Sequence, residues 1–382
     1  MALDLQILAR RLKRARVIQA IDATVVEQAT GIAGDRLKQI ESGSTKPTGD
    51  EVLILANYYH CDFRDFLDHS RPEPFEQTDI LYRRYGDDFL TEDRRAIQEF
   101  LYLCEIESFL ETELGIRKQK FSFNPQGNFY KAHGEYAAKA LRTFLNYAPN
   151  AIPRDVFHDF RSIGFHVFRR RLTNSNISGL YIDHPIAGHC VLVNYEEDIY
   201  RQRFSVSHEA AHAIFDSSDS VVVTYRTGNS KYDEDKLKEI RANRFASCYL
   251  IPPDQLPKGQ QWTDKLAVQW AQQLRVSTTA LSISLKAAGL INEEAAKKIR
   301  SVRVQAQEKI DPEAPDSLTE KQRSRRLQLM ERGLSDYYVS LCFEAYHRGI
   351  ISAGKLSEAL LADHAETRDI AILFGRSIQH GD

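Results

Sequence analysis

The sequence lacks long apolar runs and a strong net charge. No stretch approaches the ~18 consecutive apolar residues that a membrane-spanning helix needs, so we expect no membrane segment. The N-terminal residues lack the apolar core of a secretory signal, so we expect no such signal. Lys and Arg number 51 against 53 Asp and Glu, which makes the whole chain a poor general binder of polyanions. Any nucleic-acid contact must therefore come from a local patch.

Cysteine is also scarce, and its spacing excludes a common class of small secreted fold. The five cysteines lie at positions 61, 104, 190, 248 and 342, without a Cys-x-x-Cys pair. An odd number of cysteines, scattered along the chain, argues against a disulfide framework. We therefore expect a cytoplasmic protein with reduced thiols.

What is present indicates a globular protein of several parts. A length of 382 residues favours two or three domains, and 42% hydrophobic residues are ample for their cores. Helical periodicity dominates, with strand-like runs only near residues 164–168, 177–182 and 189–194. The predicted fold is α+β and mostly helical, with a small sheet. The predicted regions are a helix-turn-helix bundle (1–70), a helical linker (71–125) containing an amphipathic helix from about 92 to 115, a region of strands and helices (126–292) with a polar loop at 216–234, and a helical C-terminal region (293–382).

The pattern His208-Glu209-Ala-Ala-His212 carries the clearest chemical signal. On a helix, positions i and i+4 share one face, so both imidazoles can reach one metal ion. Glu209 lies beside them, where it can take a proton from metal-bound water. Composition gives about 0.05 chance matches to this pattern, so its context must decide. The context is apolar, which is an unfavourable place for two histidines and a glutamate without partners.

A catalytic zinc site needs a third protein ligand and leaves one position for water. Glu239, on a downstream helix, is the best candidate, although a solvent-exposed acid near the start of a helix is the simpler interpretation of a lone Glu. Asn243 lies one turn further on the same face. Its side-chain oxygen could accept a hydrogen bond from the Nδ1–H of a ligand histidine, as metal-bound histidines require.

Several motifs in order resemble the ImmA/IrrE family of zinc metallopeptidases. These motifs are Ile177-Ser-Gly-Leu-Tyr, Val191-Leu-Val-Asn194, the run from Arg203 to Phe215, and Glu239-x-x-Ala-Asn-Arg-Phe-Ala-x-x-Tyr-Leu-Ile-Pro252. The resemblance implies a zincin-like fold with His208, His212 and Glu239 as Zn²⁺ ligands and Glu209 as general base. It also implies cleavage of a protein substrate, typically a small helix-turn-helix repressor, in stress responses or in phage and mobile-element responses. Two departures are Ala211, where glycine is common, and the final ~90 residues, which do not resemble the sensor domain of the radiation-response members.

Residues 1–70 resemble the XRE class of helix-turn-helix domains. The similar positions are Thr30-Gly31-Ile32, Leu37, Ile40-Glu41-Ser42-Gly43, Lys46-Pro47-Thr48 and Leu55-Ala56. If this domain binds DNA, Arg36, Lys38 and Gln39 belong to the helix that faces the groove. The alternative is a degenerate bundle that binds protein or dimerises, with its arginines facing solvent.

Two functions follow from these patterns. The first is a zinc metalloendopeptidase, and the alternative is a DNA-binding transcription regulator that uses the zinc fold as a sensing or scaffold module. The sequence leaves open whether the chain forms a homo-oligomer.

Three further interpretations concern single positions. Cys104 could act as a regulatory thiol that blocks the zinc, although a buried core thiol is the simpler interpretation. His166 and His189 are expected to be packing residues rather than ligands. Val191–Asn194 could be an edge strand that pairs with an extended substrate.

Overall fold

The N-terminal region is a set of short helices around an apolar core. The structure, a computed structural model, describes residues 4–68, 70–71, 75–85, 88–127, 129–216, 221–225, 233–314 and 318–378. The first helices are α1 (Leu5–Ile18), α2 (Ala23–Thr30), α3 (Gly34–Glu41), α4 (Gly49–Tyr58) and α5 (Arg64–Leu67). Gly31 has φ 75° and lets the chain turn within three residues between α2 and α3. This is the helix, turn and helix order predicted from the sequence, and its assignment to the XRE class stays a prediction.

The other regions surround one small sheet. Before the sheet come α6 (Glu76–Tyr85), α7 (Thr91–Glu113), α8 (Tyr130–Phe144) and α9 (Val156–Ser162). Then follow β1 (His166–Arg170), β2 (Ile177–His184), β3 (Gly188–Asn194), α10 (Ile199–Phe215), β4 (Val221–Tyr225) and α11 (Asp233–Leu250). The later helices are α12 (Asp264–Leu274), α13 (Thr278–Ala287), α14 (Glu293–Ser301), α15 (Glu320–Met330), α16 (Asp336–His347), α17 (Ala353–Ala359) and α18 (His364–Leu373). The structure is α+β and mostly helical, as predicted. Within the described ranges, no helix combines the length and the apolar character needed to cross a bilayer.

The strands are arranged in the order β1-β3-β2-β4. β1 is parallel to β3, and β2 is antiparallel to both β3 and β4. The first three strands confirm the predicted strand-like runs. β4 lies within the segment predicted as a polar loop, of which residues 217–220 and 226–232 are outside the described residues. β3 is paired along both sides, so its backbone groups are already used and the prediction that Val191–Asn194 forms an edge strand is wrong.

Both faces of the sheet are buried. Side chains alternate along each strand, so one face of the sheet packs against α10 and the other against α7 and α16. The face toward α10 carries Val167, Tyr181, Val191 and Val193. The opposite face carries Phe168, Leu180, Ile182 and Leu192. The predicted amphipathic helix of the linker region is therefore α7, and it covers a sheet face as a core element rather than only connecting two domains.

Two buried arginines attach a late segment of the chain to the sheet. Arg169 of β1 contacts Asp311 at 2.6 Å and Glu313 at 2.9 Å, and Arg161 of α9 also binds Glu313. Burial opposes the charge on Arg169, but the two carboxylates outweigh burial and raise its pKa. Because removing one partner of a buried ion pair is strongly destabilising, these contacts hold the segment before α15 against β1.

The close packing of α8 on α11 gives a first testable prediction. A Cβ atom added at Gly134 of α8 would lie 2.5 Å from the carbonyl oxygen of Arg241 and 2.8 Å from the amide nitrogen of Phe245, both on α11. Alanine gains about 1 kcal/mol of helix propensity over glycine, but overpacking against backbone costs about 1 to 3 kcal/mol. Gly134→Ala should therefore lower the thermal unfolding midpoint by a few degrees.

Gly49→Ala is the matched control, because a Cβ atom at Gly49 of α4 meets nothing within 4 Å. Its unfolding midpoint should equal or slightly exceed that of the wild type. A Gly134→Ala variant as stable as Gly49→Ala would contradict the described packing of α8 on α11.

Candidate metal centre

α10 brings two histidines to one buried point. Asp198 caps its N-terminus by accepting a hydrogen bond from the amide of Tyr200 at 3.0 Å. His208 and His212 are one turn apart and almost fully buried, and their Nε2 atoms lie 3.1 Å from each other. The predicted helix therefore directs both rings to the same place.

α11 supplies a carboxylate at this point. Glu239 Oε2 lies 3.3 Å from His208 Nε2, and Glu239 Oε1 lies 3.2 Å from His212 Nε2. Zinc with ligand bonds of about 2.0–2.1 Å in tetrahedral geometry sets its donor atoms about 3.3–3.4 Å apart. Two imidazole nitrogens and one carboxylate at these distances fit a small divalent cation without rearrangement.

The electrostatics of the three residues favour a bound positive charge. Burial disfavours a proton on His212, but hydrogen bonds to Asp216 and Glu239 outweigh it and raise the pKa of the ring to about 10. Burial also opposes the charge of Glu239, and the two histidines nevertheless hold its pKa well below the usual range. A metal ion competes with protons for the same nitrogens, so we expect cation affinity to rise with pH.

A buried carboxylate fixes the outer side of one ring. Asp216 Oδ2 lies 3.1 Å from His212 Nδ1, and Asp216 Oδ1 accepts a hydrogen bond from Arg241. The Arg241 guanidinium in turn lies 4.4 Å from the ring centroid of Phe215. Asp216 was not among the residues predicted for the site, although its position four residues after His212 places it on the same helix face.

Asn243 does not have the contact expected of it. Its side chain is exposed. His212 Nδ1 pairs with Asp216, and His208 Nδ1 has no hydrogen-bond partner in the described part of the chain. Asp216, rather than Asn243, therefore orients a histidine of the candidate centre.

Glu209 lies between the sheet and the three residues that could bind a metal ion. It is fully buried, and neither carboxylate oxygen forms a hydrogen bond of good geometry with a described residue, although the Thr224 hydroxyl of β4 is close enough to act on its pKa. Gly179 of β2 leaves room for it, since a Cβ atom there would lie 3.1 Å from Glu209 Oε1. Burial raises the pKa of Glu209, which brings a carboxylate closer to the range useful for a general base.

Residues 160–286 match the family model of the IrrE N-terminal-like domain, Peptidase_M78. The matched segment runs from α9 to α13 and includes α10 and α11 with His208, Glu209, His212 and Glu239. It covers about a third of the chain. No curated protein matches the chain. The family match supports a metallopeptidase-type function and agrees with the ImmA/IrrE resemblance of this segment.

Arg203 has a structural role in the matched segment. Its buried guanidinium donates to the carbonyl oxygens of Arg154 at 2.8 Å and Arg275 at 3.2 Å, and also to that of Pro153. Burial lowers the pKa of Arg203 to about 10. Because these donors are used by backbone carbonyls, Arg203 fixes α10 to two loops rather than serving the candidate centre.

The structure places Cys104 away from the residues that could bind a metal ion. Cys104 lies on α7, in the core on the sheet face opposite to α10. It is fully buried, and burial raises the pKa of its thiol well above the usual value. The sheet therefore separates this thiol from His208 and His212, and its environment is that of a buried core thiol, the simpler of the two interpretations.

The residues proposed for DNA contact have different environments. Arg36 donates to both carboxylate oxygens of Glu51, at 2.7 and 2.8 Å, and so attaches α3 to the first turn of α4. Lys38 and Gln39 are exposed on α3, and Lys38 lies 3.2 Å from the exposed Asp35. Lys38 and Gln39 are therefore exposed, whereas Arg36 is only partly exposed and its guanidinium is paired with Glu51.

The buried contacts of Asp216 generate a second prediction. Asp216→Asn keeps the size of the side chain but leaves Arg241, only 6% exposed, without its anion. Removing one partner of a buried pair typically costs about 3 to 5 kcal/mol, and we expect a loss of this order in urea unfolding. Glu135→Gln is the control, because the partly exposed Glu135 pairs with Arg244 nearer the surface, where such pairs contribute about 0 to 1 kcal/mol.

The Asp216 carboxylate should also contribute to the acid sensitivity of the fold. Burial opposes its charge, but His212 and Arg241 outweigh burial and lower the pKa of Asp216. Its contribution is therefore complete above the unfolded pKa of about 3.9 and is lost as pH falls through the lower folded value. Wild type should lose more stability than Asp216→Asn over this acid range, and equal losses would contradict the assignment.

Proposed function

We propose that the chain is a zinc-dependent metalloendopeptidase that cleaves a small helix-turn-helix repressor and so switches on stress, phage-defence or mobile-element genes. One observation carries the zinc peptidase part. The Nε2 atoms of His208 and His212 and the carboxylate oxygens of Glu239 converge at 3.1–3.3 Å beside the buried carboxylate of Glu209. The match to a peptidase family supports the reaction class. The choice of repressor rests on the resemblance to the ImmA/IrrE family.

The ligand roles follow from the donor set. His208 and His212 would hold zinc through Nε2, and Glu239 through its carboxylate. Zinc, when bound, supplies a Lewis acid that lowers the pKa of water and polarises a peptide carbonyl. Asp216 would keep His212 in the orientation and tautomer that leave Nε2 available.

Glu209 would carry the proton transfers. Its carboxylate accepts a proton from water as the new carbon–oxygen bond forms at the scissile carbonyl. It returns that proton to the amide nitrogen as the carbon–nitrogen bond breaks, which yields a carboxylic acid and an amine. The raised pKa of Glu209 suits both transfers, because the group must accept a proton and then release it.

β4 favours an extended polypeptide as the substrate. Among the described residues it forms an outer strand, paired only with β2, and it also contacts α10. An outer strand can add an extended peptide through backbone hydrogen bonds. β4 thus has the outer position in the sheet that was predicted for Val191–Asn194.

Replacement of the base should separate catalysis from metal binding. Glu209→Gln should retain zinc, measured by elemental analysis, because the residue is not a ligand. It should lose cleavage of a co-expressed helix-turn-helix repressor by a factor of about 10² or more. Glu196→Gln, an exposed glutamate paired with Arg171, should retain both properties.

Replacement of the third ligand should instead remove the metal. Glu239→Ala should lose zinc together with activity. Full zinc occupancy in Glu239→Ala would remove this residue from the site. Unchanged cleavage by Glu209→Gln would overturn the peptidase mechanism.

The alternative function, a DNA-binding regulator with the zinc fold as a sensing or scaffold module, draws on the exposed Lys38 and Gln39 of α3. If α3 binds DNA, affinity measured by fluorescence anisotropy should fall steeply with salt and should fall again in Lys38→Ala. Lys38→Ala is a cleaner test than Arg36→Ala, because Arg36 also attaches α3 to α4. Sequence-specific binding without cleavage would favour the regulator. Absent or salt-independent binding would favour a protein-contact role for residues 1–70.

A further inference from the structure

A second group of metal-ligating side chains lies on the sheet face opposite to α10. Glu107 and Glu111 are one turn apart on α7, and His166 faces them from β1. One ligand atom from each residue lies within 4.8 Å of the other two. All three residues are buried, with exposed fractions of 0%, 7% and 4%. His166, expected to be a packing residue, therefore belongs to a polar cluster in the core.

The hydrogen bonds of this cluster are incomplete. His166 Nδ1 lies 2.7 Å from Glu107 Oε1, but Glu107 Oε2 is buried and has no hydrogen-bond partner in the described part of the chain. A buried carboxylate oxygen without a partner is costly. Glu111 Oε1 accepts a hydrogen bond from Tyr337 at 2.6 Å and is also paired with the Lys118 ammonium. Lys118 thus pairs with Glu111, and the buried Arg161 guanidinium, which is paired with Glu313, also acts electrostatically on Glu107.

We propose that Glu107, Glu111 and His166 bind a second divalent transition-metal ion. Two carboxylates and one imidazole suit Zn²⁺ or Mn²⁺. The lone pairs of Glu107 Oε2 would then have a partner, and the second carboxylate charge would be neutralised. Glu107 and Glu111 have the i, i+4 spacing that directs two ligands to one ion, and β1 supplies the third ligand from the facing surface.

Lys118 is the internal competitor for this ion. It lies beyond the end of α7, in a stretch without helix or strand, and its ammonium pairs with Glu111. An ion bound to Glu111 would displace the ammonium, because two cations at one carboxylate repel each other. Removal of the Lys118 charge should therefore strengthen ion binding.

The position of the site suggests a structural role for the ion. It would join α7 and β1 and, through the hydrogen bond from Tyr337 to Glu111, also α16. Such an ion would stabilise the packing of the C-terminal helices on the sheet by binding the folded state. The proposal does not depend on the peptidase function, since the two groups of ligands share no residue.

The experiment uses the full chain with His208→Ala and His212→Ala, which removes the first candidate centre. After treatment with a chelator, this protein is titrated with ZnCl2 and with MnCl2 by calorimetry, and its thermal unfolding is followed with and without each ion. We expect one equivalent of Zn²⁺ or Mn²⁺ to bind and to raise the unfolding midpoint. Glu107→Gln and His166→Gln, added to this background, should each weaken binding by about tenfold or more.

Lys118→Gln provides a test in the opposite direction, with Lys120→Gln as its control because Lys120 is an exposed residue of the same stretch. In the same background, Lys118→Gln should bind the ion several-fold more tightly, and Lys120→Gln should not change the affinity. The proposal is overturned if the background protein binds neither ion, or if a folded Glu107→Gln variant binds it equally well. Unchanged affinity in Lys118→Gln would also count against it. Absence of ion binding would indicate that Glu107 and His166 form only a buried hydrogen-bonded pair.

Discussion

Both faces of the four-stranded sheet carry large apolar side chains, so the sheet requires a covering layer on each side. α10 covers one face and brings His208 and His212 with it. α7 and α16 cover the other face. Helices from outside residues 160–286 therefore complete the core around the sheet that also supports the candidate centre. Exposing either face to water would forfeit about 25 cal/mol for each Å² of apolar surface.

The candidate metal centre depends on charges that are held in place by the fold. Glu239 lies on α11, the two histidines lie on α10, and Asp216 directly follows α10. The carboxylate of Asp216 receives Arg241 from α11, so the same two helices are joined on both sides of His212. The donors are therefore positioned by a network of contacts rather than by α10 alone, which favours a preorganised site.

Much of this arrangement is encoded locally and could be predicted from the sequence. The i, i+4 spacing of His208 and His212 and the apolar residues around them predict a buried helix with two rings on one face. The first three strands have distinct apolar runs, and their positions are confirmed. Glu239 was the best downstream carboxylate, and the structure brings it to both rings.

Other features depend on long-range pairing, which local patterns do not encode. Strand order placed β3 in the interior of the sheet and β4 at its outer side. The apolar face of α7 could have covered the cleft or the sheet, and its packing on the sheet makes Cys104 a buried core thiol. Arg36 was predicted to lie on a helix face directed at DNA, but its guanidinium pairs with Glu51, 15 positions away. The cluster around His166 likewise joins residues separated by 59 positions.

The attachment of Arg161 and Arg169 to Asp311 and Glu313 has a consequence for protein synthesis. Translation proceeds from the N-terminus, so α9 and β1 leave the ribosome well before the segment that carries the two acids. Until then, burying either arginine would leave its charge without these partners, which opposes final closure of this edge of the sheet. The nascent chain therefore reaches its complete packing only after residue 313 has emerged, and the order of translation delays maturation of the whole molecule.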